Sequence, residues 1–354
     1  MKKLMLMLFT TVLFVSCSND QSEDKIVSNN QTSKKLYAVG SKYGLNNNNS
    51  FTTLATLWID GEPTILSKNG SSTATGIAIV QNNIFVVGNE SLMGENQKIK
   101  VWKNNIAQDI TNGLHIAEAK DIFVNQNDVY IVGNEHIGQL NKSVATLWKN
   151  GVAVRLTNNE TISYANSVYV YGNDVYVAGE KIDNQGYSQG VIWKNGVETI
   201  LENTHSEFNT FIKDIVVENN IVYACGYSLN GIKSIAKIWK NGTPINLSNE
   251  NDFIIANAIA IHNSEVYVAG SEFDVTIYDN KESRVWKNGN IIENSKVEHS
   301  GFNSIQVTNE GIFTSGTKSG INLNYAIWKS SKNNNSFIQE YSHNNDEINT
   351  IAVD

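Results

Sequence analysis

The sequence predicts an all-β chain closed into a ring of seven similar units, and three observations predict it. First, all seven tryptophans (Trp58, Trp102, Trp148, Trp193, Trp239, Trp286 and Trp328) recur at intervals of 44, 46, 45, 46, 47 and 42 residues. Each occupies the place that Trp148 holds in Ala145-Thr146-Leu147-Trp148-Lys149-Asn150-Gly151. Second, the chain between tryptophans is made of short β-branched runs that alternate apolar and polar residues, with no stretch of helical period. Third, the repeats start and stop out of phase, so that the two chain ends complete one unit. Four strands at a period near 45 residues is the pattern of a propeller blade, which buries its apolar faces only by stacking on neighbouring blades.

Before the repeats, residues 1–16 read as a signal peptide: Lys2 and Lys3, then the apolar run Leu4–Val15, too short to span a bilayer comfortably. The ending Leu13-Phe14-Val15-Ser16-Cys17 resembles a bacterial lipoprotein cleavage box, with Phe14 where Leu is commoner. That resemblance implies cleavage before Cys17 and acylation of Cys17, palmitate included. Residues 17–34 are expected to be the lipidated Cys and a tether, because Ser, Asn, Asp, Gln, Glu and Lys without apolar partners cannot offset their ordering entropy. Asp20, Glu23 and Asp24 are similar to the acidic export signals of surface lipoproteins in Bacteroidetes-type bacteria. The implied location is the bacterial outer membrane, lipid-anchored and exposed at the surface.

Residues 35–354 are expected to form a single seven-bladed domain. In the copy that starts at Ala165, Asn166-Ser167-Val168-Tyr169-Val170 reads as a first strand and Val175-Tyr176-Val177-Ala178-Gly179 as a second. Gln189–Trp193 follows as a third, and Lys194-Asn195-Gly196 turns the chain into a fourth, Val197–Leu201. Asn-Gly readily takes the positive φ angles of a two-residue hairpin turn. The second strand recurs at Leu36–Gly40, Ile84–Gly88, Val129–Gly133, Val222–Gly226, Val266–Gly270 and Ile312–Gly316. The first recurs from Gly76, Asp121, Asp214, Ala258, Ser304 and Thr350. No first strand precedes Leu36, and Ile348–Asp354 is a first strand with nothing after it, so together they predict a closing blade, where an open solenoid would need caps. Pro63 and Pro244 both follow the Asn-Gly-type turn at the start of a fourth strand, which fits an outer edge where a missing N–H is harmless.

Composition excludes some functions. The chain carries 27 basic and 35 acidic residues; without residues 1–16 the balance is 25 against 35, or −10. That field, with no basic patch in sequence, repels phosphate backbones, so no nucleic-acid partner is expected. With Cys17 processed, Cys225 has no partner for a disulfide, and it fills the slot that Ala178 and Ala269 hold in sister repeats, the place of a small buried side chain.

With strands running outwards from the channel, the turns after first and third strands share one face and are short: Asn82-Asn83, Asn173-Asp174, Asn219-Asn220 and Lys-Asn-Gly. The loops after second and fourth strands share the other face and vary in length, which is where binding residues concentrate. Five of the six histidines (His115, His136, His205, His299 and His343) map there, scattered and without metal-ligand spacing, so no metal or cofactor is expected. Tyr187, Phe273 and Tyr278 map there too and suit stacking on sugar rings or anchoring a protein. One position recurs at the start of every first strand: Thr75, Lys120, Asn166, Lys213, Asn257, Asn303 and Asn349. Repetition points to a structural device between blades. Lys120-Asp121 and Lys213-Asp214 break the pattern with charge and are therefore the binding candidates, alongside Tyr187, His205, Phe273 and Tyr278.

Calcium loops, Gly-x-Ser-x-Gly elbows and His-Glu-x-x-His pairs are missing. Carboxylates on the variable face (Glu118, Glu207, Asp252, Asp346 and Glu347) cannot be paired by spacing alone. The repeats also lack the marks of WD, kelch and sialidase propellers. The Val-Tyr-Val-Ala-Gly … Trp-Lys-Asn-Gly repeat over Leu36–Asp354 instead resembles the repeats of bacterial surface or secreted propellers, which implies architecture and carries over no catalytic residue. The function expected is a monomeric cell-envelope lipoprotein that binds a glycan or an envelope protein through its variable face. A glycan hydrolase or lyase is the second reading, and a scaffold in an envelope complex the third.

Overall fold

The computed structural model describes residues 34–138, 142–201, 209–231, 233–249, 253–274, 279–292, 295–318, 324–330, 336–344 and 346–354. Lys34–Asp354 is one compact unit, a seven-bladed β-propeller of antiparallel blades. Blade 1 is the closure foreseen: Asp346–Val353 is its inner strand, followed outwards by Leu36–Leu45, Phe51–Ile59 and Glu62–Ile65. Blade 2 starts at Ser71–Val80, blade 3 at Ile116–Asn125, blade 4 at Ser163–Tyr171, blade 5 at Asn209–Glu218, blade 6 at Ile254–His262 and blade 7 at Ser300–Thr308. Pro63 and Pro244 lie in outer strands, opposite Trp58 and Trp239.

The core is seven layers between blades. Each apolar cluster joins two neighbouring blades and contains one tryptophan from the later blade; Trp148 of blade 3, for example, packs on Phe85, Val87, Ile99 and Val101 of blade 2. All seven tryptophans are nearly inaccessible. At ~25 cal/mol per Å² and about 200 Å² per ring, each contributes on the order of 5 kcal/mol of apolar burial, an upper estimate. Cys225 is buried in the layer between blades 5 and 6, and burial pushes its thiol up.

The rest of the repeat is explained by the same economy. In six of the seven blades the Trp is followed by a Lys that lies over an aromatic ring near the start of the second strand, such as Lys149 on Tyr130 and Lys194 on Tyr176, at 5.1 and 5.2 Å. The following Asn has positive φ (50° at Asn150, 51° at Asn195), and its Oδ1 accepts the amide of Val129 or Val175, at 2.8 and 2.9 Å. Asp60 does the same for Leu36 at 2.9 Å, and Ser330 Oγ for Ile312 at 2.9 Å. In Val-Tyr-Val-Ala-Gly, the glycine is required by close approach: a Cβ at Gly133 or Gly179 would overlap the carbonyl oxygen of Glu118 or Tyr164 on the inner strand.

Two expectations are corrected. The inner strands begin two to five residues earlier than predicted, and the repeated polar position lies mid-strand, not at the start. There it is the extra residue of a β-bulge, as between Ala165 and Ser167 or between Ile212 and Asp214. A bulge breaks the alternation that sequence reasoning follows. The first turn of blade 2 is also one residue earlier, with positive φ at Gln81 and Asn82 and with Asn83 already in the strand.

Candidate functional site at the channel mouth

All seven inner strands line a central channel of about 640 Å³. In three blades the bulge turns an asparagine towards the next blade. Asn166, Asn257 and Asn349 donate from Nδ2 to the carbonyls of Ile212, Phe302 and Ala74, at 2.7, 2.8 and 2.8 Å. These asparagines stitch inner strands together, the structural role expected of a position present in every blade.

A second tie lies one strand outwards, at the residue after each Val-Tyr-Val-Ala-Gly-type glycine. Asn89 Oδ1 accepts the Ala119 amide at 2.8 Å and Asn134 Oδ1 the Ala165 amide at 3.1 Å. In blade 4 this position holds Glu180, and in blade 5 Tyr227. Sequence reasoning missed Glu180; aligned repeats would have exposed it as the one acid in a series of Ser41, Asn89, Asn134, Tyr227, Ser271 and Thr317.

The charged and aromatic exceptions at these two positions gather in one sector. Lys120 of blade 3, Glu180 of blade 4, and Lys213 and Tyr227 of blade 5 stand on neighbouring blades. Glu180 is 8% exposed, and its Oε2 accepts Asn166 Nδ2 at 2.9 Å. Burial raises its carboxyl to about 7, against the pull of Lys213, Asn166, the Ile212 amide and Lys120. The Lys213 ammonium lies 5.6 Å from the Tyr227 ring centre, and Tyr227 stacks on Phe211 at 5.1 Å. Burial, then the Glu180 charge, raises the Tyr227 hydroxyl. Lys120 pairs with Glu118 at 2.5 Å. Glu118, Lys120, Glu347 and Asn349 line a depression at the same mouth.

One residue deeper, Asp121 and Asp214 border the channel and meet through Ser167. Ser167 Oγ is 3.0 Å from Asp121 Oδ2 and 2.7 Å from Asp214 Oδ1. Asp121 also accepts the amides of Ile122 and Val168, at 2.7 and 2.9 Å, and Asp214 those of Ile215 and Ile259, at 2.8 and 2.9 Å. Ser167 has one hydroxyl proton for two acidic neighbours. Both contacts are hydrogen bonds only when one carboxyl carries a proton. Burial, then the charge of Asp214, raises Asp121 to about 7, and burial raises Asp214. The geometry and the raised carboxyls point the same way: the trio shares one proton that leaves as pH rises through about 7, with the macroscopic behaviour of a coupled pair.

The structure thus brings Lys120, Asp121, Lys213 and Asp214 into one place. It leaves Tyr187 half-buried in the loop whose turn Asp183 caps and Phe273 39% exposed at the end of the second strand of blade 6. Cys17, His205 and Tyr278 lie outside the described residues. Among the described residues, no three His, Cys, Asp or Glu side chains converge as a metal site would require.

No family model matches the sequence, and curated proteins gave no match. Solved structures did. A candidate 6-phosphogluconolactonase of Bacteroides fragilis aligns over 92% of this chain and 99% of its own, with 11% identity and a TM-score of 0.50. The Pyrococcus horikoshii acylaminoacyl peptidase aligns over 86% of this chain, with 13% identity and a TM-score of 0.50, and the chain spans 50% of that enzyme's length. At such identities, what this chain shares with these proteins is the propeller scaffold.

Proposed function

We propose that the chain is a lipid-anchored protein of the bacterial outer membrane whose propeller binds a glycan or an envelope protein at the variable-face mouth of its channel. Residues 1–16 are its signal peptide, Cys17 its anchor, and residues 17–34 its tether. One observation carries the binding site: the charged and aromatic substitutions at these two repeated positions fall in blades 3, 4 and 5, where they supply two ammonium groups, a carboxyl group and a tyrosine stacked on Phe211. Stability alone asks the same of every blade. A local exception that collects charge and aromatic surface is what recognition asks.

Retention on immobilised polysaccharides and on envelope extract tests this, with the chain from Ser18 onwards as the soluble probe. Retention by either, lost on Phe211→Ala with Tyr227→Ala, supports the site. Retention that survives both substitutions places binding elsewhere.

A specific feature favours hydrolysis as the second reading. Glu180, with a carboxyl near 7, is poised to donate a proton to a leaving oxygen, and Glu118 supplies a second carboxylate at the mouth. Product release abolished by Glu180→Gln, with retention intact, would favour the enzyme over the binding module.

A further inference from the structure

We infer that the sector in blades 3–5 takes a carboxylated sugar, with Lys120 and Lys213 receiving its carboxylate on either side of Asn166 and the Phe211–Tyr227 pair receiving its ring. The inference rests on the glycan reading above and names the class of glycan.

Charge at the mouth is divided by how it is used. The acidic oxygens are largely occupied: Asp121 and Asp214 by four backbone amides and Ser167, and Glu180 by Asn166 while it lies 8% exposed. The ammonium groups are not. Lys120 and Lys213 both line the channel. Lys120 pairs with Glu118 at 2.5 Å, and its ammonium carries three N–H donors, more than that one pair uses. Lys213 rests on an aromatic face 5.6 Å away, a contact that leaves its N–H groups free to turn towards an anion. They flank Asn166 on the channel wall, and the Glu180 carboxyl that Asn166 holds feels the charge of both. An anion there meets two positive charges and, at neutral pH and below, an increasingly protonated Glu180.

Lysines act as point charges rather than planar forks, and the chain around them is acidic, so a singly charged carboxylate fits better than a dianionic phosphate. Phe211 and Tyr227 stack at 5.1 Å between ring centres and are each half-buried; with Lys213 already over the Tyr227 ring, the exposed part of Phe211 is the apolar surface left for a pyranose ring to cover.

The test compares polygalacturonate, alginate and hyaluronan with the same polymers after carboxyl reduction, together with neutral glucan and xylan, using the chain from Ser18 onwards. The expected result is retention of at least one carboxylated polymer, weakened tenfold or more by its reduction and fivefold or more by Lys120→Met or Lys213→Met. Lys103→Met, which removes a charge on the opposite face, should leave retention unchanged and so separates a site from bulk charge. If one lysine variant fails to fold, the other carries the test. Equal retention of a polymer and its reduced form, or retention of neutral polymers only, overturns this inference and leaves the glycan reading standing. Failure of every polysaccharide overturns both.

Discussion

The shared proton of Asp121, Ser167 and Asp214 makes stability depend on pH in a direction opposite to the usual surface carboxylate. Asp121 is raised from 3.8 to about 7 in the folded chain, so the folded state binds a proton more tightly than the unfolded state. The stabilising effect of that proton is fully present below pH 4 and is lost as pH rises through 7. A shift of about three units at ~1.4 kcal/mol each gives about 4 kcal/mol. Asp121 is only partly buried on the channel wall, which reduces this, and about 2 kcal/mol is the working figure. Glu180, raised to about 7, acts in the same direction. Urea unfolding at pH 5, 6, 7 and 8 should therefore show stability falling across that range. Asp121→Ser installs the residue that blade 7 uses at this position, where Ser304 Oγ meets Thr350 Oγ1 at 3.0 Å; it should remove about half of the fall. A flat profile in the parent chain, or an unchanged fall in the variant, would refute the shared proton.

Other perturbations test the scaffold and the anchor. Deleting Ile348–Asp354 removes most of the inner strand of blade 1 and its Asn349 tie to Ala74; cooperative unfolding by circular dichroism should disappear, and an unchanged melt would contradict ring closure. Gly133→Ala drives a methyl group into the Glu118 carbonyl and should cost about 3 kcal/mol or more in a urea titration, the upper range for overpacking. Asn150→Ala loses the cap on Val129 and strains a positive φ, for a loss of about 1–2 kcal/mol. Cys17→Ser should move the protein from the membrane fraction to the soluble one; persistent membrane association would argue against lipidation.

The fold was legible because its rules are local and repeated seven times. Trp-Lys-Asn-Gly, complete in four of the seven copies, specifies packing, a cation over a ring, and a capped turn within four consecutive residues, and the pairing of the last strand with Leu36–Leu45 closes the ring. The site was half legible. Lys120-Asp121 and Lys213-Asp214 stood out as charges in a series of Asn and Thr, but nothing in their spacing of 93 residues says that Ser167 lies between the two carboxyls. That fact depends on ring geometry and on the bulge, which shifts alternation by one residue at the point where the side chains meet the channel. Glu180 was hidden for a related reason: it follows the glycine that ends the recognisable strand, where the eye places a loop, although the strand continues to Ile182.

The claim at the centre of this account is that blades 3–5 hold the working face of an otherwise uniform ring. Retention of the soluble chain on its best polysaccharide or envelope ligand, compared among three proteins, tests it most directly: the parent, Phe211→Ala with Tyr227→Ala, and Asn303→Ala at the exposed bulge of blade 7. The account predicts retention by the parent and by Asn303→Ala and its loss in the double variant. Loss in Asn303→Ala with retention in the double variant would put the working face on the other side of the channel.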